Sequence, residues 1–191
     1  KLCSILEGIN IRPLFHSDDK IITHHANFPE NWEIYQSFDA TEAKKANEKA
    51  LEALNNNVSG LCFSNPNNLK ELLKGICIEN IRIDFKEYTK HFVQEWNEFS
   101  KNKKVKGAFH GIEESNLLNT IYVKGKTAKE QIKNAVSIGR DKKNIQFYFE
   151  IGSNYFLEIA KLKAFRILWE QKMGHSPYIF ASTSLTNKEK N

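Results

Sequence analysis

Apolar and polar positions along this chain follow two periods, and the period switches repeatedly. In "NWEIYQSFDA", Trp32, Ile34, Gln36 and Phe38 alternate with Glu33, Tyr35 and Ser37. A period of two predicts a strand. In "TEAKKANEKALEALNNN" the apolar positions Ala43, Ala46, Ala50, Leu51 and Leu54 recur at helical spacing. Asp39 or Thr41 is the expected cap, and Asn55 to Asn57 the stop. "VSGLCFS" is short and wholly apolar, as a strand covered on both faces should be. A short capped helix, "NPNNLKELLKGI", and a strand, "NIRIDF", come next. "KEYTKHFVQEWNEFSKN" then predicts a helix with Tyr88, Phe92, Trp96 and Phe99 along one side, and "VKGAFHG" closes that part. The pattern is weakest over 107–127. It resumes with "NTIYVKG" as strand, "TAKEQIKNAVSIG" as helix and "IQFYFEIG" as strand. "SNYFLEIAKLKAFRILWEQ" and "PYIFAST" complete the series.

The helix in "SNYFLEIAKLKAFRILWEQ" is apolar nearly all the way round, where a surface helix shows one stripe. Only Glu158, Lys161, Lys163 and Arg166 interrupt it, so burial on two sides is expected. Glu158 and Lys161 are spaced to pair locally. Arg166 is expected to meet a carboxylate or carbonyls beyond the helix, because a buried charge without a partner is costly.

Strand–helix alternation throughout predicts an α/β fold with a mostly parallel sheet and right-handed crossovers. The units number roughly six or seven, against the eight of a closed barrel that usually takes about 250 residues. With 191 residues, the expected architecture is a TIM-type (β/α) barrel that is incomplete or shortened. It should form a single domain over 1–191 with an extended N-terminal arm over about 1–30.

Composition narrows the partners. No apolar run approaches the roughly 20 residues that cross a bilayer, and the first residues lack a signal-peptide cleavage pattern. A cytoplasmic protein with no membrane partner is expected. Cys3, Cys62 and Cys77 show no metal spacing and read as buried thiols of a reducing compartment. Net charge is +5 and pI about 9.0, which raises nucleic acid as a partner. Yet the densest lysines, Lys101, Lys103, Lys104 and Lys106, form a solvated loop without interleaved aromatics, so no nucleic-acid partner is expected. His24 and His25 are adjacent and point apart, a poor chelate. Glu113 and Glu114 read as solvated charge. There is no G-x-G-x-x-G, P-loop or nucleophile elbow.

Three segments carry a family resemblance. "NYFLEIAKLKAFRILW" resembles F-x-E-I-A-K-x-R-A-x-R-x-L-W of the methylmalonyl-CoA mutase family. Phe156, Glu158, Ile159, Ala160, Lys161, Ala164, Arg166, Leu168 and Trp169 match, and Lys163 stands where the family has Arg. "ASTSLTNK" is similar to the family's E-T-S-x-x-N-K-T through Thr183, Ser184, Asn187 and Lys188. Near the other end, Trp32, Ile34, Gln36 and Asn47 match W-x-I-x-Q followed by a distant Asn. The resemblance implies a barrel that binds a CoA ester along its axis, with adenosylcobalamin against it on a separate C-terminal domain. It implies the radical interconversion of methylmalonyl-CoA and succinyl-CoA. It also implies a choice between a catalytic large subunit and a related, non-catalytic small (beta) subunit.

The departures point to the small subunit. Glu33 and Tyr35 stand where the catalytic version has a substrate-contacting Thr and Arg, and Tyr cannot replace an Arg fork. His110 in "GAFHG" has the wrong spacing for the family's active-site histidine. The cobalamin motif D-x-H-x-x-G is absent. The middle is shorter than the family's, which implies a reduced barrel or a chain lacking some segments. The expected function is thus a small, non-catalytic subunit or fragment of an adenosylcobalamin-dependent methylmalonyl-CoA mutase, supporting the large subunit. No catalytic, cofactor-binding or metal residue is assigned, and the cofactor is expected on the partner. The alternative is a stand-alone α/β enzyme or binding protein for a CoA ester or other anion, using Thr183, Ser184 and Asn187 at a strand end. A shortened barrel must cover its strand edges. Hence the expected partners are the large subunit and, in isolation, a second copy. The helix 154–170 and the helix carrying Tyr88, Phe92, Trp96 and Phe99 would supply the contact.

Overall fold

The computed structural model describes residues 3–4, 8–11, 16, 18 and 32–184. His24, His25, Asn187 and Lys188 lie outside the described residues, as does most of the expected arm. Two short strands, β1 (Cys3–Ser4) and β2 (Asn10–Ile11), pair antiparallel. From residue 35 onward the elements are β3 (Tyr35–Asp39), α1 (Ala43–Asn55), β4 (Gly60–Ser64), α2 (Leu69–Leu72), β5 (Arg82–Lys86) and α3 (Lys90–Ser100). They continue with β6 (Lys106–Phe109), β7 (Leu118–Tyr122), α4 (Ala128–Gly139), β8 (Ile145–Ile151), α5 (Tyr155–Met173) and β9 (Tyr178–Thr183). Strands β3 to β9 lie in one parallel sheet in chain order. The fold is an incomplete α/β barrel, as the alternation implied. Contacts divide the chain into two compact units. One comprises Pro29–Ile121 with Lys143–Gln146; the other comprises Tyr122–Lys142 and Phe147–Asn191 with the N-terminal residues.

In the first unit a phenylalanine recurs at one register. Phe38, Phe63, Phe85 and Phe109 face each other across β3 to β6. Neighbouring ring centroids are 5.9, 6.3 and 5.4 Å apart. In-register pairing of a period-two pattern puts all four on the same face. Phe92 and Trp96 of α3 meet Phe85 edge-on at 4.9 and 5.0 Å. Ala43, Ala46, Ala50 and Ala53 of α1, with Leu69 and Leu72 of α2, complete this core. The opposite face carries Tyr35, Ser37, Cys62, Arg82, Asp84, Lys86 and Ala108, by the same alternation. Its polar character is what positions a site.

In the second unit, Phe147 and Phe149 of β8 pack on Phe165 and Trp169 of α5, with ring centroids 4.7–5.1 Å apart. Gly139 permits this, since a Cβ there would sit 2.5 Å from Phe147. Lys161 is buried and holds Glu158, Gln131 and the Glu150 carbonyl. The i,i+3 pair is therefore present, inside a larger polar knot.

Several expectations need correction. Trp32 and Ile34 are exposed, Trp32 at 83%, because β3 starts only at Tyr35. Helix α1 has Glu42 at its N-cap without a side-chain cap bond; Asp39 instead accepts from the Thr41 amide and hydroxyl. Cys77 is exposed, since Ile76 and Ile78 take the core positions around it. Arg166 is half-buried, and its electrostatic neighbour is Glu170, one turn on in the same helix rather than beyond it. Phe92, Trp96, Phe165 and Trp169 are all core residues, so they cannot form a contact between chains. On α5 the exposed large apolar residues are Tyr155, Phe156 and Ile159.

Candidate functional site

Asp84, in the middle of β5, is 0% exposed. Alternation along β5 turns its carboxyl to the polar face, between Arg82 and Lys86 on the same strand. Its Oδ1 accepts from the Ala108 amide at 3.0 Å and from the Tyr35 hydroxyl at 3.3 Å. Its Oδ2 accepts from Gln146 Nε2 at 2.9 Å and lies 3.0 Å from His110 Nε2. Gln146 also donates to Thr120 Oγ1 at 3.0 Å. Donors from β3, β6, β8 and the residue just after β6 thus converge on one carboxyl group of β5, with Thr120 of β7 linked through Gln146, satisfying the rule that a buried polar group must be paired.

The Ala108 contact has a backbone cause. Gly107 has φ +140°, and a Cβ there would meet the Ile83 carbonyl oxygen at 1.8 Å. Only glycine allows this approach. The next amide, Ala108 N–H, then turns to the Asp84 side chain.

At the N-terminal end of the strands, Tyr35 lies over Gly60, where an added Cβ would be 2.6 Å from its ring. Arg82 Nε donates to the Tyr35 hydroxyl at 2.7 Å and pairs with Glu33 Oε2 at 3.1 Å. Burial and the neighbouring Asp84 push the Tyr35 hydroxyl far above its ordinary value. Burial works against the Arg82 charge, but Tyr35, Asp84 and Glu33 together hold its pKa above the ordinary value. At the other end, burial lowers the His110 pKa below 6.5 and Lys86 adds to that, against the opposing pull of Asp84. Burial pushes the Cys62 thiol up to about 11.

Chemically, this is a closed polar interior. His110 is oriented by a carboxylate as a general base would be, but its side chain is buried. The lysine beside it disfavours the imidazolium that base catalysis forms. Sequence reasoning set His110 aside on spacing and missed Asp84 and Gln146 altogether. The one available signal was an acidic residue in the apolar run "NIRIDF", where a buried charge demands partners. Thr183 and Ser184 close β9 as expected, Ser184 N–H donating to the Ile151 carbonyl at 3.0 Å. Among the described residues, no group of three or more His, Cys, Asp or Glu could hold a metal ion. No helix among them is long and apolar enough to cross a membrane.

Parallel strands in chain order, a helix in every crossover but that from β6 to β7, and a face of converging polar side chains define a (β/α)-barrel protein of the incomplete kind. The chain belongs to the methylmalonyl-CoA mutase family, whose model matches residues 79–183, more than half of its length. That range spans β5, with Asp84, through α5 to the end of β9. No curated protein matches the chain.

Proposed function

We propose that this chain is a small, non-catalytic subunit, or a segment of one, of an adenosylcobalamin-dependent methylmalonyl-CoA mutase, supporting the large catalytic subunit. The supporting observation is the filled polar face around Asp84. In the catalytic relatives that the sequence resembles, the CoA ester runs along the barrel axis. Here Glu33 and Tyr35, standing where that version has its Thr and Arg, are tied to Arg82 and Asp84. Asp84, Thr120 and Gln146 are all buried by neighbours from this same chain. An acyl-CoA would have to break those hydrogen bonds to enter.

His110 is not offered as a ligand for a cobalamin, because its Nε2 is held against Asp84 with its side chain buried. The cofactor accordingly belongs to the partner in this reading. The partner contact falls on the start of α5, where Phe156 is 81% exposed beside Tyr155 and Ile159.

Co-expression with a large mutase subunit tests the reading. The two chains should elute together on gel filtration, and Phe156→Asp with Ile159→Asp should separate them while leaving the fold intact by circular dichroism. The chain alone should carry no cobalamin absorption band through the column and should not isomerise methylmalonyl-CoA. A retained band, turnover by the isolated chain, or separate elution of the two wild-type chains would overturn it.

A further inference from the structure

Strand β3 ends the sheet on one side, and among the described residues its strand neighbour is β4 alone. The Ile34 carbonyl accepts from the Ser59 and Gly60 amides, and the Ile34 amide donates to Ser59 Oγ. Further along, the Ala40 amide donates to the Ser64 carbonyl. Backbone groups alternate sides along a parallel strand, so residues 34, 36, 38 and 40 turn theirs to β4. Ser37 and Asp39 turn theirs to the open edge. A groove of about 510 Å³ lies beside that edge, between Gln36–Asp39 and the flank of α1 that carries Lys49, Glu52, Ala53 and Asn56. Gln36, Ser37, Asp39, Lys49 and Glu52 are exposed, as are Ile34 and Trp32 just before the strand. Proline and lysine, which blunt strand edges elsewhere, are both missing from β3.

We propose that the open edge of β3 docks a second copy of this chain, the two β3 strands pairing antiparallel about a two-fold axis at Ser37. Centred there, the Ser37 amide and carbonyl of each copy exchange two hydrogen bonds with those of the other. A two-fold contact of this kind closes on itself and stops at a dimer. Charge selects the register. Asp39, the one charged residue of β3, then faces Tyr35 of the second copy. In-register parallel pairing would instead set Asp39 against itself, which like charges disfavour. In the antiparallel register Gln36 faces Phe38, and the exposed Ile34 gains Ala40 of the second copy as a neighbour. On the groove wall, Lys49 and Glu52 run in opposite order in the two copies, so each charge can approach its opposite. Trp32, 83% exposed, adds the kind of side chain that carries binding energy in an interface. This surface is separate from Tyr155, Phe156 and Ile159 of α5, so the inference and the subunit reading can fail independently.

Sedimentation equilibrium of the full chain, up to about 100 μM, reads the association directly, and the wild type should reach twice the chain mass. Ser37→Pro removes the outward N–H and leaves the bonds to β4 in place. It should weaken dimerisation at least about tenfold, the loss of roughly 1.4 kcal/mol. Gln36→Lys, which sets a charge against Phe38 of the second copy, should do the same with an unchanged circular dichroism spectrum. Phe156→Asp with Ile159→Asp should leave the dimer intact. A wild-type monomer at about 100 μM would overturn the proposal, as would a dimer that survives Gln36→Lys or one that Phe156→Asp with Ile159→Asp dissolves. A monomer whose Ser37 amide resists deuterium exchange would show that the chain covers its own edge, and would overturn it too. If Ser37→Pro fails to fold, Gln36→Lys decides alone; if that exposed substitution also unfolds the chain, the edge is not open and the proposal falls.

Discussion

Replacing Asp84 by leucine removes the hub of the buried polar face while nearly conserving volume. Four donors lose their acceptor: the Ala108 amide, the Tyr35 hydroxyl, His110 Nε2 and Gln146 Nε2. They do not lose equally. Gln146 keeps Thr120 at 3.0 Å, and His110 can turn its proton to the other ring nitrogen. The Ala108 amide cannot move, and each buried group left unpaired costs about 1–3 kcal/mol. Arg82 and Lys86 lose the negative charge between them, and breaking a buried charge cluster typically costs about 3–5 kcal/mol. The expected destabilisation is therefore about 3–5 kcal/mol, a large share of a domain stability of about 5–15 kcal/mol. Asp84→Asn should cost only about 1–3 kcal/mol, because one oxygen still receives the Ala108 amide and the Gln146 amide can flip to accept. Urea unfolding followed by tryptophan fluorescence, at pH 7.5, measures both. A loss below about 1 kcal/mol for Asp84→Leu would refute the reasoning, because the cluster would then not need its centre.

Three further outcomes follow from the same geometry. His110 has its pKa lowered by burial from 6.5, so on acidification the unfolded chain takes up that proton first. Stability from this group is complete above about pH 6.5 and falls as pH drops toward its folded value, and His110→Gln should flatten that slope in denaturation curves. Cys77 should react with iodoacetamide within minutes at pH 8 and Cys62 only on unfolding, since Cys62 is buried with its thiol raised to about 11; peptide mapping showing equal labelling would contradict this. Gly60→Ala should destabilise by about 1–3 kcal/mol, because the new Cβ would sit 2.6 Å from the Tyr35 ring. Tyr35→Ala should recover most of that loss in a double-mutant cycle.

The alternation of periods was enough to place most helices and strands, because it records which face each element buries. Phe38, Phe63, Phe85 and Phe109 were visible as separate apolar residues, but their shared register depends on pairing distances that no local window contains. Trp32 and Ile34 extend a correct period beyond the last ladder bond and so misled the reading. Cys77 had the neighbours of a buried residue but lies in a turn where Ile76 and Ile78 alone point inward. The polar cluster was legible only as fragments. Asp84 and Gln146 are 62 positions apart in sequence, and nothing local to either names the other. The all-apolar helix was expected to be buried on two sides, but only the single stripe Lys161, Phe165 and Trp169 is buried, leaving Tyr155 and Phe156 outside.

Because Gly107 lets the chain close on the Ile83 carbonyl, the amide of Ala108 comes within hydrogen-bond reach of a side chain, the Asp84 carboxyl. Its solvent-exchange rate should thus respond to the Asp84 carboxyl as well as to the breathing of the strand. In deuterium oxide this single N–H would act as a built-in reporter. Neighbouring ladder amides would exchange with the opening of the sheet, while Ala108 would quicken whenever Asp84 is mutated or drawn away by a ligand. An isotope-exchange map could then distinguish loosening of the polar interior from unfolding of the unit that encloses it.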